Sequence, residues 1–192
     1  MSEKCIYVIG GTDDRPSLLS REYDVWTSVL QITLDNGRIK VKTPMIVGKF
    51  DFGVCLVSNL VYIVGGLLRD YSNSSSCEVY HLKKDKWATL PCSLPDPYTA
   101  SVTTEVAEKR FIFGFGGMSN NESTPDYSVE RFLRLDTLNT ELGWQTLTLK
   151  NPVDQNGWNY GVLLLEKFEF LIFGGCKTKR GPMRRTCIFN GN

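Results

Sequence analysis

The sequence predicts an all-β protein made from one four-stranded antiparallel unit used several times, and three observations predict it. A short run of β-branched and aromatic residues closing on two glycines occurs four times: Ile6-Tyr7-Val8-Ile9-Gly10-Gly11, Val61-Tyr62-Ile63-Val64-Gly65-Gly66, Phe111-Ile112-Phe113-Gly114-Phe115-Gly116-Gly117 and Phe170-Leu171-Ile172-Phe173-Gly174-Gly175. Gly11, Gly66, Gly117 and Gly175 stand 55, 51 and 58 residues apart, the size of a unit of several strands. No window long enough to count shows helical apolar periodicity.

Each element of the unit has its own signal. Residues 52–57, 99–106 and 160–165 are β-prone runs, and short polar turns follow them at Ser58-Asn59-Leu60, Ala107-Glu108-Lys109 and Leu165-Glu166-Lys167. Ser2-Glu3-Lys4 holds the same place ahead of the first glycine run. Two β-prone runs joined by such a turn read as a hairpin. Beyond the glycines come a polar loop and a third run, as in Cys77-Glu78-Val79-Tyr80-His81-Leu82 and Val129-Glu130-Arg131-Phe132-Leu133. A fourth run opens at Trp87 in one unit and at Trp144 in the next. The units fall at approximately 1–48, 49–95, 96–152 and 153–192 of a single domain, the first lacking its first strand and the last its fourth.

Paired glycines closing the second strand, an aromatic in the third and a tryptophan opening the fourth resemble the kelch repeat. Gly65, Gly66, Tyr80 and Trp87 carry the whole pattern, while Gly116, Gly117 and Trp144 keep it with Phe132 in place of the usual tyrosine. Gly10 and Gly11 have Ile39 near the tryptophan position, Trp26 falling outside the pattern, and Gly174 and Gly175 precede no fourth strand. The resemblance implies a β-propeller, in which small twisted sheets pack face to face around an axis. The expected fold is a kelch-type propeller arc of about three and a half blades, part of a larger propeller, with four-blade closure and association of two arcs as alternatives. Open blade edges in such an arc are an aggregation liability. A WD40 propeller is disfavoured because no Trp-Asp pair occurs.

Composition narrows the function classes. The net charge of +1 gives no global attraction to nucleic acid or to an anionic membrane, and neither partner is expected. The apolar run from Cys5 to Ile9 is too short for a secretory signal, and no segment reaches the length of a membrane-spanning helix. Six cysteines, at 5, 55, 77, 92, 176 and 187, form no C-x-x-C pair, so reduced thiols in a cytoplasmic protein are expected. The sequons at Asn73 and Asn121 are read as coincidence.

No cofactor or metal is expected. His81 is the one histidine, so a two-histidine metal site, including the copper site of galactose oxidase, cannot be built within the chain. The glycine doublets close strands without opening a helix and do not form phosphate cradles. Kelch-like propellers that interconvert sugars, of the sialic-acid mutarotase type, supply the alternative function, with Glu105, Glu166 and Glu169 as available carboxylates. A truncated, non-functional fragment is a further alternative.

Binding is the leading expectation. In a four-stranded meander the connections between strands two and three share one face with those between blades, and here they are long: residues 12–26, 67–76, 118–128 and 176–185. They carry Arg15, Arg21, Tyr23, Trp26, Arg69, Tyr71, Tyr127, Arg180, Arg184 and Arg185, with Trp158 and Tyr160 joining from the last interblade connection. Arginine and aromatic residues are enriched at interface hot spots. Residues 177–185 hold five positive charges and no acid, which suits an acidic segment of a partner. The expected function is therefore a non-enzymatic protein-interaction module, an adaptor or scaffold, with self-association through open blade edges as a second kind of partnership.

Overall fold

The computed structural model describes residues 4–13, 24–95, 102–117, 132–147, 158–177, 181–182 and 186–190. Their strands form four separate antiparallel sheets that follow one another along the chain. The first sheet holds β1 (Cys5–Ile9), β2 (Val29–Thr33) and β3 (Ile39–Lys42). The second is a complete meander of β4 (Gly53–Val57), β5 (Leu60–Val64), β6 (Ser76–His81) and β7 (Lys86–Ser93). The third repeats it with β8 (Thr103–Ala107), β9 (Phe111–Phe115), β10 (Phe132–Asp136) and β11 (Gln145–Leu147), a single 3-10 turn at Thr140–Leu142 preceding the last strand. The fourth pairs β12 (Trp158–Glu166), β13 (Glu169–Lys177) and β15 (Thr186–Asn190), with the two-residue β14 (Gly181–Pro182) extending it. This is the kelch-type arc that the repeat predicts.

The alternation of side chains along the second strand of each sheet explains how the sheets stack. Counting back from the doublet, the first and third residues face the following sheet, and the second and fourth face the preceding one, as the period of two requires. Tyr7 and Ile9 of the first sheet thus meet Val61, Ile63 and Tyr80 of the second. Tyr62 and Val64 of the second meet Ile112, Leu133 and Leu135 of the third. Phe113 and Phe115 of the third meet Phe170, Ile172 and Phe189 of the fourth. In β5 and β9 both faces are covered, so these strands read as unbroken apolar runs. The doublets turn the chain out of the stack: Gly10 has φ of 59°, and a Cβ there would lie 2.9 Å from the Lys49 carbonyl oxygen.

Hydroxyl groups tie the inner strands together. Thr104 donates to the Val54 carbonyl at 2.9 Å and Thr103 to the Tyr160 carbonyl at 3.0 Å. Gly53 allows this approach, since a Cβ on it would fall 2.7 Å from the Thr104 methyl carbon.

The segment joining β3 to β4 binds the first two sheets to each other. The Lys49 carbonyl accepts the Gly11 N–H at 3.2 Å, while its side chain, fully buried, runs into the second sheet. There its ammonium lies 3.0 Å from Glu78 Oε1 and donates to Ser76 Oγ at 2.7 Å. Glu78 Oε2 accepts the Ile46 N–H at 3.1 Å, so the carboxylate holds the same connecting segment from both ends.

An outer clasp completes this junction. The Tyr80 hydroxyl donates to Asp85 at 2.5 Å, and the same carboxylate accepts the Thr43 N–H at 3.0 Å and pairs with Lys42 at 2.9 Å. Trp87 stacks on Tyr80 with ring centres 4.8 Å apart and donates its indole N–H to the Thr43 carbonyl at 2.9 Å. Burial by itself would raise the Asp85 carboxyl, but Tyr80, Thr43 and Lys42 together outweigh it and hold the group well below its usual range. In the third sheet Arg110 makes a two-pronged contact with Asp136, and that contact, helped by Asn139, likewise depresses the carboxyl.

Two sequence expectations change here. The run predicted over 129–133 is described as a strand from Phe132 to Asp136, its earlier residues lying outside the described set. The loop predicted over 176–185 is in part a ladder: Trp158 pairs with Cys176, and Cys176 and Lys177 pair with Pro182 and Gly181. β12 starts early enough to carry the regular ladder through the fourth doublet, so β13 includes its glycines, whereas β1, β5 and β9 end before theirs.

Two outcomes follow from these contacts. Lys49→Met or Glu78→Leu alone leaves a buried charge without its counter-ion and is expected to cost about 3–5 kcal/mol. The double variant is expected to cost clearly less than the sum, read from urea unfolding as a double-mutant cycle. The second concerns pH. Asp85 and Asp136 titrate below their ordinary value in the folded chain, so their stabilisation is complete above that value and is lost as pH falls through the folded pKa. Between about pH 4 and 2 the unfolding midpoint of the native chain is expected to fall more steeply than that of Asp85→Asn or Asp136→Asn.

Candidate functional site

The connections that leave the glycine doublets of the first two sheets come together at one rim. The first continues the β1–β2 hairpin past the doublet: Trp26 N–H donates to the Gly11 carbonyl at 2.9 Å, Thr12 bridges Val25, and Asp13 N–H donates to the Asp24 carbonyl at 3.2 Å. The indole of Trp26 lies beside Gly11, 3.9 Å from where a Cβ would stand, and the residue is 51% exposed.

The second connection is held as firmly. Leu67, which is buried, bridges both Phe50 and Asn73. Asp70 Oδ1 accepts the Ser72 hydroxyl at 2.5 Å and the Ser72 N–H at 3.0 Å, an Asp-x-Ser turn that also lowers the Asp70 pKa. Tyr71 sits at φ of 63°, in the left-handed region, with its ring edge-on to Phe50 at 5.7 Å. This places the tyrosine at the surface, 38% exposed. Arg69 reaches across to Asp24 of the first connection at 3.9 Å, both side chains being well exposed.

Of the residues expected at the rim, the structure therefore brings Trp26, Arg69 and Tyr71 onto two adjoining loops. Tyr160 is not a rim residue: it is 6% exposed, packed between the third and fourth sheets, with its carbonyl tied to Thr103. Its place in β12, on the face turned to the third sheet, is what buries it. Trp158 opens β12, while its side chain lies outside the described set. Arg15, Arg21, Tyr23, Tyr127, Arg180, Arg184 and Arg185 also lie outside the described residues.

Among the described residues, sequence reasoning missed Asp24, the acid that faces Arg69, and Phe50, the ring under Tyr71. The Asp70-x-Ser72 turn was open to detection from its residue types.

Two clefts are lined by described residues. One, of about 600 Å³, lies between the first and second sheets and is lined by Cys5, Tyr7, Gln31, Cys55, Asn59 and Lys83 among others. Burial raises the Tyr7 hydroxyl and pushes the Cys55 thiol up to about 12. Another, of about 360 Å³, lies at Asp51, Phe52, Thr103, Asn159 and Tyr160. The carboxylates weighed for sugar chemistry line neither cleft. Glu105 accepts the N–H of Val106 at 2.9 Å, and Glu166 and Glu169 face each other across the β12–β13 turn. His81 lies in β6, where its Nδ1 accepts the Lys84 N–H at 3.3 Å. Among the described residues, no helix is long and apolar enough to cross a membrane.

No curated protein matches the chain. Residues 49–93 match the Kelch motif, a span that starts at Lys49 and ends with the last strand of the second sheet. The neighbouring sheets repeat the glycine doublet and strand order of that kelch motif, so the second sheet is a kelch repeat and the rest of the arc shares its architecture.

Proposed function

We propose that the chain is a non-catalytic binding module that holds a protein partner on the rim of the β1–β2 and β5–β6 connections. The observation that carries this reading is the joint presentation of Trp26, Arg69 and Tyr71 on the described segments of two connections, which are held by their own bridges. Pinned loops lose little conformational freedom on binding, so more of the contact energy is left for affinity. Kelch repeats in general mediate protein–protein interaction, and aromatic and arginine side chains dominate hot spots.

The Arg69–Asp24 pair suggests the partner's chemistry. It is long and exposed on both sides, so it contributes little by itself and exchanges readily for a closer carboxylate. An acidic segment offering a two-pronged carboxylate to Arg69 and apolar groups to Trp26 and Tyr71 fits this rim. A role as a cytoplasmic adaptor or scaffold follows from the same reading.

The test is a selection of acidic peptides from a display library against the 192-residue chain, followed by calorimetric titration. Combined Trp26→Ala, Arg69→Ala and Tyr71→Ala is expected to weaken the selected peptides by about thirtyfold or more while the sheet content read by circular dichroism is retained. Peptides that bind the triple variant as well as the native chain would place the binding surface elsewhere. Faster anomer exchange of sialic acid in the presence of the chain would replace the binding reading with a catalytic one.

A further inference from the structure

The two ends of the arc expose faces that its interior keeps covered. Two and four residues before the doublet stand Ile63 and Val61 in the second sheet, Gly114 and Ile112 in the third, and Ile172 and Phe170 in the fourth, all buried against the preceding sheet. In the first sheet the same places hold Val8 and Ile6, which are 47% and 50% exposed. Leu30 and Ile32 continue this face on β2, and Val41 and Ile39 on β3, the last two being 80% and 60% exposed.

The far end shows the complementary half. One and three residues before the doublet stand Val64 and Tyr62, then Phe115 and Phe113, all buried against the following sheet. In the fourth sheet these places hold Phe173 and Leu171. Phe173 is 45% exposed, and Leu163 and Ile188, which flank Leu171 in register, are 53% and 62% exposed. Gly161 seats the Phe173 ring, since a Cβ there would fall 2.3 Å from it.

We propose that these faces are the two halves of one interface and that a second copy of this chain occupies both, head to tail. The fourth sheet of each copy stacks on the first sheet of the other, as each sheet within the chain stacks on the next. The contact uses the same strand positions as the three internal junctions, so it continues an interface already formed three times in the molecule. The borders also match: Glu169 stands five residues before its doublet and Lys4 six residues before its own, placing opposite charges at corresponding ends of the second strand. Both halves sit on one molecule, which is what a second copy requires and an unrelated partner does not. A head-to-tail contact either closes or grows into a filament. Two four-sheet arcs close at eight sheets, within the range of propeller rings.

Sedimentation equilibrium of the 192-residue chain over a dilution series tests this. The expected mass is twice the 21.7 kDa of one chain. Val8→Asp and Phe173→Lys, each checked for its sheet content by circular dichroism, are expected to be monomers. Their equimolar mixture is expected to regain the dimer, because the intact Phe173 face of one meets the intact Val8 face of the other while aspartate meets lysine at the second junction. Folded variants that stay monomeric when mixed overturn the proposal. So does a dimer abolished by one substitution and untouched by the other, which marks like-to-like pairing. The native chain is read without any variant, and a monomer or a ladder of higher oligomers there overturns the closed pair directly.

Discussion

Lys49 is the residue on which the junction of the first two blades depends, because its two ends serve different sheets. Its carbonyl takes the N–H of Gly11, and its ammonium lies buried against Glu78 and Ser76. Two opposite charges removed from water are costly apart and tolerable together, so the pair admits one arrangement of the connecting segment. That arrangement sets Phe50 against Leu67, and Phe50 in turn supports Tyr71 at the rim. The position of an exposed candidate binding residue is thus traced, contact by contact, to an ion pair with no exposed atom to speak of.

Outside that point the arc is held by repetition. The strand period of two and the glycine doublet together assign each second-strand residue to one junction or the other. The filling differs from junction to junction while the geometry is kept. The third and fourth sheets meet through phenylalanines, with Phe132 and Phe189 stacked at 4.6 Å. Gly114 stands where the other sheets have a branched or aromatic residue, and Trp144 reaches to within 3.7 Å of its missing Cβ. A small residue on the second strand is matched by a large one ahead of the fourth, as close packing demands.

Much of the fold was legible because it is written in residues close together in sequence. Doublets, hairpin turns and apolar runs each act within a few residues, and their recurrence marks the units. The departures arise where distant segments meet. The ladder of β13 runs on past its glycines because β12 opposes it, and Tyr160 is core because β12 places it against the third sheet. Neither fact is carried by the local sequence. The rim was partly legible for the same reason: Trp26, Arg69 and Tyr71 announce themselves by type, while Asp24 and Phe50 matter only through the neighbours that folding brings.

The sequence by itself determined the strand order, the unit length, and the phase of apolar faces, since these follow from backbone periodicity and from the turns that glycine permits. Tertiary structure alone decided which charges are partners. Lys49 and Glu78 lie 29 residues apart, and Lys42 and Asp85 lie 43 apart. Each is an ordinary polar residue until the stacking of one blade on the next removes water from between them.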